Sequence, residues 1–572
     1  MCGICGIVGP NARAFPEQLD RMSSMLAHRG PDAHGTLFFD SCILDHRRLS
    51  IIDIDSGKQP MAHITPSHNL GIVFNGEIYN YQEIKKTLPG PFTTQSDTEV
   101  ILAGFAALPI GALCERLKGM FAFAIWDENA QKLTCSRDRF GEKPLYFALL
   151  PDGHFIFSSE IQPIISSGLV RPTLDLKAMA FYLKYRFIPE GFSPYATIRQ
   201  LPPASILEWQ DGKIQIKRYW EKPAPLRPHD IDVEEAAREM RSLMQQAVTR
   251  CLVADVEVGL LLSGGLDSTT IAGVASQNKK LRSFCFGFEG ARDERGYAKD
   301  VAAQYALPFQ ELTDKEMDLP YALLSVCKVY GEPFGDSSAI PMLQLCKKVA
   351  GEVKVALSGD GADELLGGYD YWYQPLLAVA EKEKNREAVL AAHDQALSHF
   401  SDETLTAMGI PCGRLPSSFP LSGTVDDALR LDLEGFLPSD ILKKSDRASM
   451  HYGLELRSPF LDADLASFLI SLPAEYKVSP TNTKILLRKA FEDIWPQTVR
   501  TRGKQGFGYD VSIWMRKPEV AMLKQSYLLN PKRKIRRIFT NPYLEFCAQN
   551  HGQQSWLTLM LAIWLESATW EI

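Results

Sequence analysis

The spacing of apolar positions along this chain changes character near residue 230. Before that point, short apolar stretches recur with a period of two between turn signals, as in Gly119 to Asp127 (GMFAFAIWD) and the run beginning at Lys143-Pro144-Leu145-Tyr146-Phe147. Alternating short strands with few helices predict two antiparallel sheets packed face to face. Helices near 16–27 and 97–107 would cover them, the second opened by Ser96 as a cap. Asn75-Gly76 and Asp211-Gly212 read as hairpin turns, the second joining strands over 198–209 and 213–219.

From Ile231 the period becomes helical, with apolar residues at Val233, Ala237, Met240, Leu243, Met244 and Ala247. Strands are then expected at Val258 to Leu262, Leu281 to Phe288, Phe309 to Leu312 and Lys354 to Leu357. Helices over 294–305, 319–329 and 338–349 separate them. Strands spaced by helices predict a parallel sheet covered on both faces, with ligands gathering beyond its C-terminal strand ends. A proline-rich, charged stretch over 216–230 reads as a linker, dividing the chain into domains 2–215 and 231–572. Past about 375 the pattern is mostly helical, and the polar stretch 382–430 has no assignment.

The 572 residues exceed what a single core supports, which agrees with two domains. A net charge of -7, from 62 basic and 69 acidic residues, argues against a general nucleic-acid surface. No apolar stretch is long enough to span a bilayer, and no basic region followed by an apolar run opens the chain. The expected partners are therefore small molecules, with no nucleic acid and no membrane. Eleven scattered cysteines without paired CxxC spacing predict no zinc site and a reducing, cytoplasmic setting.

Three segments carry candidate chemistry. In Leu260 to Ser268 (LLLSGGLDS) a buried strand stops at a glycine turn and a helix begins, an arrangement that cradles phosphate on free backbone N–H groups. Asp267 stands where it could hold magnesium against that phosphate. Ser358 to Glu364 (SGDGADE) crowds acids at 360, 363 and 364, which is costly unless a cation offsets them. Cys2, once the initiator methionine is removed, would combine a nucleophilic thiol with its own α-amine as base.

The N-terminal segments MCGICGIVG, HRGPD (28–32), RRLSIID (47–53), FNGEIYN (74–80), SDTEV (96–100) and RDRFGEKPLY (137–146) together resemble the class II, N-terminal-nucleophile glutamine amidotransferases. SGGLDS resembles the pyrophosphate loop of the ATP pyrophosphatases. Over nearly its full length the chain is similar to the glutamine-hydrolysing asparagine synthetase family. The resemblance implies an α/β with α+β architecture: an N-terminal αββα sandwich of two antiparallel sheets, and a C-terminal parallel-sheet ATP-pyrophosphatase fold with additional helices.

The resemblance also implies roles. Cys2 would attack glutamine, with Asn75 and the Gly76 N–H as oxyanion hole. Arg48, Leu49, Ile52, Asn75, Glu77 and Asp97 would bind glutamine, Arg48 at its α-carboxylate and the two acids at its ammonium. Leu262, Ser263, Gly264, Gly265, Asp267, Ser268, Phe286, Ser358, Gly359 and Lys484 would contact ATP, and Asp267 and Asp363 its magnesium. Lys484 would neutralise charge on the α-phosphate, with Lys504 in similar work. Asp360, Glu364, Lys444, Asp446 and Arg447 are candidates for the acceptor site. The implied reaction uses ATP and magnesium to amidate L-aspartate through β-aspartyl-AMP, with ammonia passing between domains along an apolar passage. The chain departs from the family at Asp360, where Glu is expected, at Ser458, where valine is common, and at Phe286, where a smaller aliphatic is expected. A different carboxylate acceptor (a sugar, a peptide or a secondary metabolite) is the alternative reading, and a homodimer is left open.

Overall fold

The computed structural model describes residues 2–65, 67–226, 230–287, 293–313, 317–383, 385–410, 412–419, 424–503 and 508–571. Lys504 and the Phe288 end of one expected strand lie outside the described residues. The N-terminal strands are β1 Cys2–Val8, β2 Ala33–Phe38, β3 Cys42–Arg48, β4 Met61–Ile64, β5 Asn69–Ile78, β6 Gly119–Asp127, β7 Lys132–Arg137, β8 Tyr146–Leu149, β9 Phe155–Ser158, β10 Arg199–Gln200, β11 Ser205–Gln210 and β12 Lys213–Arg218. They form two antiparallel six-stranded sheets, ordered β10-β8-β9-β1-β3-β2 and β12-β11-β7-β6-β5-β4.

The alternation in β1 explains why these sheets stack. Ile4 and Val8 point between the sheets, where they join Val73, Trp126 and Trp209, whereas Cys5 and Ile7 face the opposite way, toward Leu19 and Met22 of the helix Pro16–Ser24. The expected turn at Asn75-Gly76 is corrected by the structure. Both residues lie inside β5 and pair with Ala122 and Phe121 of β6. A Cβ on Gly76 would sit 2.1 Å from the Met120 carbonyl oxygen, and its φ is 156°, so glycine serves close strand approach and not a reversal.

In the C-terminal half, β13 Val258–Leu261, β14 Arg282–Gly287, β15 Phe309–Thr313, β16 Val355–Leu357 and β17 Glu455–Arg457 make one parallel sheet in the order β15-β14-β13-β16-β17. Three residues long, β17 carries too little pattern to be read from sequence. The stretch without assignment contributes helices Arg386–Leu397, Asp402–Ala407 and Val425–Glu434.

Two features bind the halves together. The helix Leu176–Tyr185, which belongs by position to the N-terminal half, is buried with Phe187 and Ile188 in the same apolar core as Trp556, Leu557 and Trp564 of the last long helix, Gln553–Ser567. Tyr182 donates its hydroxyl to the Leu557 carbonyl at 3.0 Å. The second is a layer of buried charge. Arg29, fully buried, donates to the Cys2 carbonyl at 3.2 Å, to Glu160 at 3.0 Å, and by both ends of its fork to Asp446 at 2.9 and 3.1 Å. Arg447 pairs with the same Glu160 at 2.8 Å, and Lys143 stands 3.5 Å from Asp446. Burial opposes the charge on Arg29, but Asp446 and Glu160 outweigh it and raise its pKa.

Removing one partner of such a pair strands a buried charge, at a cost of about 3–5 kcal/mol. Asp446→Ala is expected to lower the denaturant midpoint accordingly, and a double variant Arg29→Met with Asp446→Leu is expected to recover most of that loss. Equal midpoints for the wild type and the single variant would contradict this account.

Candidate active sites

The first centre forms where β1, β3 and β5 begin or end side by side. Cys2 is 5% exposed and lies opposite Arg48 in the register of β1 with β3. Its backbone nitrogen, the atom that becomes the α-amine once the residue before it is removed, donates to Asn75 Oδ1 at 3.0 Å. That bond orients the Asn75 amide and leaves its Nδ2 buried with no hydrogen-bond partner. A buried donor without a partner is costly, and one aimed beside a thiol suits an oxyanion that develops only during reaction. Burial pushes the Cys2 thiol up, while the Leu49 backbone N–H and Arg48 pull it down.

Glu77 and Asp97 follow from the same strand and the helix next to it. Asp97 opens the helix Asp97–Ala107, whose Ser96 cap accepts from the Thr98 N–H, and its Oδ2 accepts from the Ile78 N–H at 2.9 Å. Burial raises Asp97 to about 6, although the Ile78 and Thr98 N–H groups work against it. Glu77 is raised further by burial and by the charges of Glu455 and Asp97, and its Oε2 has no partner. Two desolvated carboxyls facing one another suit an incoming ammonium.

Arg48 is differently arranged from a free anion clamp. Its Nη atoms already donate to the carbonyls of Ile52 at 3.1 Å, Asp53 at 2.7 Å and Ile54 at 2.9 Å. These bonds fold the segment after Leu49 back over the site. Among the described residues Nε and one Nη1 hydrogen have no hydrogen-bond partner, and Arg48 borders a cavity of about 490 Å³ shared with Asp32, Ser50 and Lys354. Ile52 and Leu49 are both buried beside it. His46, which no motif reading singled out, holds the Phe74 carbonyl at 3.1 Å just before Asn75, and burial drives its pKa down to about 3.

The second centre is a cavity of about 800 Å³ at the C-terminal ends of the parallel sheet. Leu262, Ser263, Asp267, Ser268, Phe286, Ser358 and Gly359 line it, as do Asp360, Asp363, Glu364 and Lys444. The glycine loop is self-braced: the Ser263 hydroxyl accepts from the Gly265 N–H at 3.2 Å and meets the Ser268 hydroxyl at 3.2 Å. Gly264 follows Ser263, and Gly265 caps the helix Leu266–Ala275. Arg502 holds the Ser263 carbonyl at 3.0 Å from a segment remote in sequence.

Beneath the loop, the Lys484 ammonium lies 2.6 Å from both carboxylate oxygens of Asp267 and 2.7 Å from Asp363. Burial works against that cation, and the two acids more than compensate, raising its pKa. Gly368 makes the meeting possible, because a Cβ there would stand 1.8 Å from Asp363 Oδ1 and 2.4 Å from Lys484 Cε. No group of three or more metal-ligating side chains occurs among the described residues. Two carboxylates turned to one point beside a phosphate loop fit magnesium, which is commonly bound by one or two carboxylates together with substrate phosphates.

The acceptor candidates divide. Asp360 Oδ2 accepts from Ser358 at 3.0 Å and Ser445 at 2.7 Å, and Ser458 meets Ser358 at 3.3 Å, so two departures from the family pattern touch the same hydroxyl. Glu364 accepts from Tyr369 at 2.6 Å and is pushed up to about 8 by burial and by Asp363. Lys444 pairs with Asp336 at 2.8 Å. Asp446 and Arg447, by contrast, do not line the cavity. Their helix, Lys443–Met450, turns these two side chains toward Arg29 and Glu160 between the halves, while Lys444 and Ser445 face the cavity. Asp446 and Arg447 thus belong to the buried charged layer between the halves, with Arg29 and Glu160.

A glutamine amidotransferase domain model matches residues 1–220, and an asparagine synthase model matches residues 239–566. The chain is 31% identical to asparagine synthetase [glutamine-hydrolyzing] 1 of Bacillus subtilis (strain 168), over 90% of this chain and 88% of that one. It is 29% identical to asparagine synthetase [glutamine-hydrolyzing] 3 of the same organism, covering 89% and 87%. With asparagine synthetase [glutamine-hydrolyzing] 3 of Arabidopsis thaliana the identity is 28%, covering 89% and 78%.

Asn75→Ala removes the orphaned donor and is expected to lower kcat for glutamine hydrolysis by about 10²–10³-fold, the usual scale for one oxyanion donor. An unchanged kcat would remove Asn75 from that role. At limiting glutamine, the hydrolysis rate is expected to fall as pH drops through about 6, because protonating Asp97 removes the charge an ammonium needs. A rate flat from pH 7 to 5 would contradict this.

Proposed function

The chain belongs to the glutamine-hydrolysing asparagine synthetase family, and on that premise we propose that it converts L-aspartate to L-asparagine through β-aspartyl-AMP, releasing glutamate, AMP and pyrophosphate. Its general chemistry is that of a glutamine-dependent amidotransferase and ligase that forms an amide.

At the first centre, the Cys2 thiol attacks the glutamine amide carbon and its α-amine takes the thiol proton. The Asn75 amide donates to the developing oxyanion, the α-ammonium passes the proton it took to the amide nitrogen, and ammonia leaves as the γ-glutamyl thioester forms. Water then cleaves the thioester to glutamate. Glu77 and Asp97 hold the substrate ammonium, and Arg48 offers its remaining N–H groups to the carboxylate.

At the second centre, a carboxylate cannot expel oxide, so it must first be joined to a better leaving group. The acceptor carboxylate attacks the α-phosphate of ATP, pyrophosphate departs into the Ser263 to Ser268 loop, and ammonia then displaces AMP from the acyl carbon. Lys484 neutralises charge as the α-phosphate is attacked. Magnesium bound with ATP would be held by Asp267 and Asp363, and would offset charge on the departing pyrophosphate. The single observation that best supports this reading is the meeting of Asp267, Asp363 and Lys484 beneath that loop. The same chemistry on another carboxylate is the alternative, favoured by the shorter Asp360 at the acceptor end.

Purified protein with glutamine, ATP and magnesium is expected to form asparagine and AMP in equal amounts when given L-aspartate. Turnover with another acid, and none with aspartate, would overturn the acceptor assignment. Cys2→Ala is expected to abolish glutamine-dependent synthesis while ammonia-dependent synthesis continues. Equal loss of both would overturn the separation of the two centres.

A further inference from the structure

The far wall of the large cavity contains a cation that no motif announces. Arg186 follows the helix Leu176–Tyr185 in a left-handed conformation, φ 68°, fixed by the Gly335 N–H donating to its carbonyl at 2.9 Å. A non-glycine residue holds such a conformation only where its surroundings over-determine it. The side chain is fixed as firmly. Nε donates to Asp440 Oδ2 at 2.9 Å, Asp440 being fully buried in the π-helical turn Leu437–Leu442, and the guanidinium lies 5.5 Å from the centre of the Phe436 ring.

That arrangement uses one of five N–H donors. Among the described residues the Nη atoms of Arg186 have no hydrogen-bond partner, the side chain is 26% exposed, and Arg186 lines the cavity. The other lysine or arginine lining the cavity, Lys444, is occupied by Asp336 at 2.8 Å. Most charged groups in the wall are carboxylates, so an anion entering this end has one receptor.

A chain of side chains links Arg186 to the acidic loop Ser358 to Glu364. Beside the phosphate loop is Asp360, held by Ser445 at 2.7 Å; next along the helix from Ser445 is Lys444, held by Asp336 at 2.8 Å; beyond Asp336 is Arg186. Burial would raise the Asp336 carboxyl, but Lys444 and Arg186 together depress it strongly, which places both cations next to it.

We propose that Arg186 is the residue that receives the acceptor's second carboxylate, the one not joined to AMP, and so sets the preference for a diacid. The planar fork suits a carboxylate, and its Nε bond to Asp440 aims the free edge into the cavity. The inference rests on acyl activation at this cavity and is independent of aspartate being the acid.

The test is pyrophosphate release with ATP, magnesium and ammonium, using L-aspartate, succinate, glutarate, β-alanine and propionate. Dicarboxylates are expected to be activated in preference to monocarboxylates. Arg186→Gln is expected to raise KM for the favoured diacid roughly 10- to 100-fold, the scale of a lost charge-assisted hydrogen bond. KM for ATP and the glutamine hydrolysis rate should stay unchanged, which also reports that the variant is folded. Arg186→Lys, which keeps charge without the fork, should fall between. Activation of monocarboxylates as readily as diacids, activation of no acid in the panel, or a preference untouched in Arg186→Gln would overturn the proposal. A diacid other than aspartate turning over would remove the aspartate assignment and leave this one standing.

Discussion

The buried guanidinium of Arg29 is the constraint on which the relation of the two halves depends. Its Nε reaches the carbonyl of Cys2, and its Nη atoms grip Asp446 on a helix whose neighbouring residues line the cavity at the end of the parallel sheet. A charge without solvent tolerates little displacement, since losing either partner leaves an ion in a medium that cannot hydrate it. The position of Cys2 is thus referred directly to Lys444 and Ser445. Glu160 and Arg447 extend the layer, so the registration is shared among several groups.

Architecture was legible in the sequence because periodicity is a direct record of which side chains are buried. Period two in β1 separates Ile4 and Val8 from Cys5 and Ile7, and this sorting builds the sandwich. Where the reading departed from the structure, a local signal had a non-local cause. Asn75-Gly76 has the composition of a turn, yet the glycine is required by the Met120 carbonyl of the adjacent strand. Nothing in a single sequence distinguishes these two needs for a missing Cβ. Likewise β17 has three residues, and what makes it a strand is β16 beside it.

The sites were legible in proportion to how much of their chemistry is local. The loop Ser263 to Ser268 braces itself within six residues, so its motif is self-sufficient. Asp446 and Arg447 directly follow the cavity-facing Lys444 and Ser445, and only the phase of the helix tells the pairs apart. Arg186 and Arg502 act across long sequence separations, the first on Asp440 and the second on Ser263. Their partners are specified by the fold, and no short pattern encodes them.

The helix Leu176–Tyr185 has a consequence for how the chain is made. Tyr182 meets Leu557 across 375 residues, and the apolar face of this early helix has its cover in the last long helix. Synthesis at roughly 5–20 residues per second places those two segments on the order of tens of seconds apart. For that interval the nascent N-terminal half lacks the part of this helix's apolar cover that Trp556, Leu557 and Trp564 supply. Completion of the first half's core waits on the helix Gln553–Ser567.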